Sequence, residues 1–143
     1  MKRYASLDHA DAMVAIEAIR AELERRGKAA VVAVADDHGE LLSLLRVGAA
    51  PLPSITIATN KAWTAARERK QTRDIGRASR DPQSGFDIAY YGDPKMVGWG
   101  GGVPVLADGE VVGAIAVSGL SSEEDAELAS LGAAQIAGAG RAS

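Results

Sequence analysis

Apolar residues recur at Ala12, Ile16, Ile19 and Leu23, a spacing of three and four that keeps one helical face hydrophobic. Glu17, Glu22, Glu24 and Arg25 fill the remaining surface, Ser6 is the expected N-cap, and Gly27 is placed to end the helix in a left-handed conformation. The pattern then changes period. Ala29–Ala35 is almost wholly apolar and valine-rich, Asp36-Asp37-His38-Gly39 supplies turn residues, and Leu41–Val47 is apolar again, which predicts a β-hairpin. A first strand apolar on both faces requires cover on both sides of the sheet.

Gly48–Pro53 is a proline-containing loop, and Ser54 is the expected cap of an alanine-rich helix running from Thr56 to about Lys70. Its alanines, Ala58, Ala62, Ala65 and Ala66, permit close approach to a sheet. Gln71–Pro94 reads as a short helix followed by a long loop, and loops of that length within a domain are commonly functional. Met96–Trp99 is an expected strand, Gly100-Gly101-Gly102 a tight connection, and Val103–Ala107 and Glu110–Ser118 two further strands about an Asp108-Gly109 turn. Ser121 and Glu124 form a capping-box pattern opening a helix through Ala126, Leu128, Leu131 and Ile136 that frays near Gly138. The expectation is a single α/β domain over residues 1–143, with a five-stranded antiparallel sheet flanked by helices.

Composition narrows the chemistry. The 143 residues include no cysteine, which removes disulfides, thiolate nucleophiles and cysteine metal sites. His9 and His38 are the two histidines, too few for a multi-histidine metal centre. A net charge of −3 argues against a nucleic-acid partner. No stretch approaches the roughly 18 uninterrupted apolar residues of a membrane span, and no apolar signal region follows Lys2 and Arg3, so a cytoplasmic protein is expected.

Against that acidic total, Lys61–Arg80 holds seven basic residues and two acidic ones, a local net charge of +5. Such a segment is either a solvated face or a site for carboxylate or phosphate, which arginine suits geometrically. Gly98-Trp99-Gly100-Gly101-Gly102 leads into an extended segment rather than a helix, so it reads as a strained turn or as backbone close to a ligand, not as a dinucleotide loop. Trp99 is either a pocket wall or a core residue. Asp36, Asp37 and His38 are consecutive, and strand alternation should separate them and prevent joint metal chelation.

Several strings resemble the GlcG/HbpS family, whose domain also forms the C-terminal part of PduO-type proteins. They are Gly101-Gly102-Val103-Pro104-Val105, the run from Asp108 to Gly119, Asp125 with Ala129, and, upstream, Asp36 with Gly39, Arg46, Lys61-Ala62, Thr64-Ala65-Ala66 and Thr72. Ala116 stands where the family often has glycine, and Arg77–Lys95 matches least. The resemblance implies a profilin-like layered fold, a homo-oligomer, haem binding in some members, and a place for others beside catabolic enzymes.

The leading expectation is a small ligand-binding protein whose ligand is haem or a related tetrapyrrole. Arg46, Lys61, Thr64, Arg67, Trp99 and the backbone of Gly100, Gly101 and Gly102 are the candidate ligand-binding positions, with His9 or His38 as axial ligand. The alternative is a cofactor-free isomerase, lyase or hydrolase acting on a small organic acid. There Arg46, Lys61 or Arg67 would hold the carboxylate, and Tyr90, Tyr91 or His38 would move protons. A third reading is an interaction subunit whose alanine-rich helices pack between copies.

Overall fold

A computed structural model describes the backbone of residues 1–141 and the side chains through residue 137. The first helix, α1 (His9–Arg26), starts two residues later than Ser6 would place it. Asp8 is the N-cap: its carboxylate accepts from the N–H groups of Ala10 and Asp11 at 3.0 and 3.2 Å, while the Asp11 carboxylate accepts from the Asp8 N–H. Ser6 is engaged elsewhere, its hydroxyl accepting the Asp37 N–H at 3.1 Å. Gly27 closes the helix at φ 64°, as its position in the sequence suggested.

The hairpin of β1 (Val31–Asp36) and β2 (Leu41–Arg46) follows, in register Val31 opposite Arg46. Asp36 builds its turn by accepting the N–H groups of His38 and Glu40 on one carboxylate oxygen. Helix α2 (Pro53–Glu68) opens with proline in its first turn and no side-chain cap. Ser54 is therefore not a cap but a buried residue inside the first turn. After α3 (Thr72–Ser79) the chain makes a single 3₁₀ turn at Ile88–Tyr90, then enters β3 (Gly102–Ala107), β4 (Glu110–Ser118) and α4 (Ser122–Arg141). Ser121 accepts the Glu124 N–H at 3.1 Å at the start of α4, and the helix continues through Gly138 to Arg141.

Among the described residues the sheet has four strands, all antiparallel, in the order β2-β1-β4-β3. The fifth strand expected at Met96–Trp99 is absent because that segment bonds to helices instead of to a strand. The Val97 N–H donates to the Thr64 hydroxyl of α2 at 3.1 Å. Gly98 lies on Gly76 of α3 so closely that a Cβ on Gly76 would sit 1.8 Å from the Gly98 carbonyl oxygen.

Successive residues of β1 point to opposite faces, which sorts the core into two layers. Val31, Ala33 and Ala35, with Ala116 of β4, pack against Ala50, Ala58 and Ala62 on the α2 side. Val32 and Val34, with Ile115 and Val117, pack against Ile19 and Leu23 of α1 and Leu128 of α4. Fully burying one of these larger aliphatic side chains contributes roughly 1.5–3 kcal/mol. Gly132 lets α4 sit directly on Ile19; Arg26 of α1 and Lys28, just past its end, both pair with Glu124 of α4, at 3.1 and 2.6 Å. Among the described residues no helix is long and apolar enough to cross a membrane.

Candidate functional site

The glycine run enters β3 over a buried polar seam. Lys61 of α2 and Asp125 of α4 are each 2% exposed; the Lys61 ammonium donates to the Val117 carbonyl at 2.9 Å and to the Asp125 carboxylate at 3.2 Å. The other Asp125 oxygen accepts the Leu120 N–H at 3.1 Å. Burial pushes Lys61 below its usual range and Asp125 above its own, and the attraction between them opposes both shifts. Gly101 adopts φ 131°, and a Cβ there would lie 2.6 Å from the Lys61 nitrogen. Thr72 donates to the Trp99 carbonyl at 2.6 Å and accepts the Gly102 N–H at 2.9 Å. Lys61, Thr64, Gly101 and Gly102, expected as ligand contacts, thus lie in the interior, where Thr64 and Thr72 hold the 97–102 segment in place.

Trp99 comes to the surface instead, while Gly100 beside it is buried. Trp99 is 60% exposed, and both residues line a recess of about 210 Å³ with Arg73, Arg77 and Arg80 of α3. A second recess, of about 230 Å³, gathers Trp63, Arg67, Tyr91 and Met96. The Arg67 guanidinium stacks 5.1 Å from the Trp63 ring centre and donates to the His38 carbonyl at 3.2 Å. The structure therefore joins Arg67 to Tyr91, but the His38 side chain points into solvent and Tyr90 is 86% exposed on its 3₁₀ turn. Arg46 lies at the end of β2 away from that turn, remote from both residues.

A groove of about 680 Å³ lies on the α1/α4 side, within the roughly 300–1,000 Å³ range of ligand pockets. Leu7, Val105, Leu106, Val112 and Ile136 form its apolar wall, and Ser6, Asp11 and Asp108 lie among its polar margins. Two backbone features build it. The Leu7 N–H donates to the Val112 carbonyl at 2.9 Å, laying the N-terminal segment along β4, and Gly113 leaves room for the Leu7 side chain. A register shift between Val105 and Leu106 turns Leu106 outward, 55% exposed. Sequence reasoning missed this groove because its wall comes from single aliphatic residues in four separate segments. The one available signal was an apolar Leu106 at the end of a strand beside a turn.

His9 opens α1 between Leu7 and Asp11, both in the groove lining, and is itself exposed. Ser6 of the groove bonds to Asp37, the neighbour of His38, so both histidines lie towards the same end of the molecule. The turn also draws potential ligand atoms of Asp36, Asp37 and His38 to within 4.8 Å of one another. This corrects the expectation that alternation would separate them: only Asp36 belongs to the strand, and the chain reverses at the other two.

Fold and site together define a small α+β domain in which an antiparallel sheet is covered by helices on both faces and bears an apolar groove beside its first helix. Residues 7–134 match the family described as haem degrading protein HbpS-like, and the chain belongs to that family. It is 34% identical over 118 residues to the protein GlcG of Escherichia coli K12, covering 82% of this chain and 85% of GlcG. Among solved structures, the Klebsiella pneumoniae protein ORFY superposes with a TM-score of 0.91 at 28% identity, covering 96% of this chain and 94% of ORFY. PduOC in complex with haem gives a TM-score of 0.84 at 26% identity, covering 92% of this chain and 95% of PduOC.

Proposed function

We propose that this protein binds haem or a related tetrapyrrole in the groove beside α1. The observation that carries the reading is the groove itself: it is ligand-sized and walled by aliphatic side chains, and its lining includes Leu7 and Asp11, the residues on either side of the Asp8-His9-Ala10 stretch in the sequence. Leu7, Val105, Leu106, Val112 and Ile136 would pack against the macrocycle and exclude water from it. An imidazole, His9 first and His38 second, would offer nitrogen to the iron. Family membership and a structural relative solved with haem support the same class of ligand. This reading moves the site away from Lys61, Arg67 and Gly100–Gly102, which face other parts of the molecule. A homo-oligomeric, cytoplasmic protein of profilin-like layering remains our expectation for its setting.

The test is a hemin titration followed by absorbance, with His9→Ala and His38→Ala in parallel. A saturable, stoichiometric Soret change lost in one variant supports the proposal and names the ligand. A weak, unsaturable change, equal in all three proteins, overturns it.

A further inference from the structure

Helix α3 carries Arg73 and Arg77 four residues apart, and its C-cap residue Arg80 follows three further on, so that all three line one recess. Like charges at that spacing repel one another. The carboxylates within the protein answer this weakly. Asp74 reaches Arg73 and Arg77 at 3.9 Å each, with all these side chains at least half exposed, and among the described residues no carboxylate pairs with Arg80. The helix is nonetheless fixed in position, by the contact of Gly76 with Gly98 and by the Thr72 bonds to Trp99 and Gly102. The three cations therefore face a built recess of about 210 Å³, with the exposed indole of Trp99 on one wall and Ser122 and Glu123 on another. Three guanidiniums against one carboxylate leave the recess with excess positive charge in a protein of net charge −3.

We propose that this recess is a second ligand site, separate from the groove, which takes a compact oxyanion carrying two or more negative charges. The planar fork of arginine matches a carboxylate or phosphate edge, and a monoanion would leave part of the repulsion in place. Ser122 offers a hydroxyl donor, and Trp99 offers a flat apolar face to the remainder of the ligand. Glu123 opposes binding of any anion, so it sets the lower limit on ligand charge.

Two probes separate the sources of such chemistry: pyrophosphate for phosphates and citrate for polycarboxylates. Each is titrated calorimetrically into the whole protein. A Trp63→Phe background lets emission report on Trp99 alone. Saturable binding of either probe is expected, with a change in Trp99 emission. Arg77→Gln/Arg80→Gln should weaken it by at least about tenfold, Glu123→Gln should tighten it, and Lys70→Gln should leave it within about twofold. Thermal melts of each variant confirm folding. The preferred probe identifies the ligand class. The proposal is overturned if neither probe binds saturably, or if Lys70→Gln weakens binding as much as the double variant. It is also overturned if Glu123→Gln leaves affinity unchanged.

Discussion

On one face of the sheet Ala33, Ala35 and Ala116 meet Ala58 and Ala62 of α2; on the other, Val34, Ile115 and Val117 meet Ile19, Leu23 and Leu128. The alanine face brings helix and strand close but buries little apolar area per residue. Its coherence comes from polar side chains that reach across the layer: Lys61 to Asp125 and Val117, Thr64 to Val97, Thr72 to Trp99 and Gly102. The aliphatic face has bulk to spare, and where its layer ends the side chains of Leu7, Leu106 and Ile136 are left around an open groove. The difference is one of chemistry: buried polar side chains tie the alanine layer together, whereas the groove at the edge of the aliphatic layer is walled by residues with no chemistry of their own.

The largest effect is expected at the buried pair of Lys61 and Asp125. Asp125→Ala leaves the Lys61 ammonium buried without its counter-ion and should cost about 3–5 kcal/mol in urea unfolding. Lys61→Met/Asp125→Leu should cost clearly less than that single change, since burial disfavours the charge on both partners. A double variant as unstable as the sum of its singles would show that the pair itself, not the avoidance of a stranded charge, holds the layer together.

Thr72→Val is the next test of the polar ties. It removes one acceptor and one donor from the glycine segment, and should cost about 1–3 kcal/mol with a shift in Trp99 emission. The aliphatic face should respond in the opposite manner. Leu106→Glu, at a side chain already 55% exposed, should change stability by no more than about 0.5 kcal/mol in urea unfolding, yet weaken hemin binding at least tenfold in the absorbance titration.

The smallest effect concerns the surface link of α1 to α4. Hydrogen bonds from Arg25, then Arg26, hold the Glu22 carboxyl down to about 2, and Lys28 and Arg26 lower Glu124. A carboxyl whose folded value lies below its unfolded one stabilises the fold above the unfolded value. That stability is lost as pH falls through 4.5 towards 2. Thermal melts over that interval should show wild type losing stability more steeply than Glu22→Gln. Parallel slopes would remove the role given to Glu22.

Element order and both sheet-covering layers were legible because they depend on local spacing: the three-four repeat of α1, the Asp36–Gly39 turn, the alanines of α2. The extra strand at Met96–Trp99 was misread because apolar residues next to glycine look alike whether they bond to a strand or to the Thr64 hydroxyl. The basic character of α3 was visible as composition, but its recess needed Gly76 and Gly98 to meet, a contact between positions 22 residues apart. The groove depends on one outward rotation at Leu106 and on the path of residues 5–7, and neither leaves a periodic trace.

Whether a tetrapyrrole occupies the groove is tested directly with a diamagnetic analogue. Amide shifts of the ¹⁵N-labelled protein would be followed while zinc protoporphyrin is added. Perturbations gathered at Leu7, Val105–Gly109 and Ile136, saturating at one equivalent, are the expected result. Perturbations centred on Trp63 and Arg67, or on Trp99 and α3, with the groove unmoved, would place the ligand elsewhere and rule the groove out.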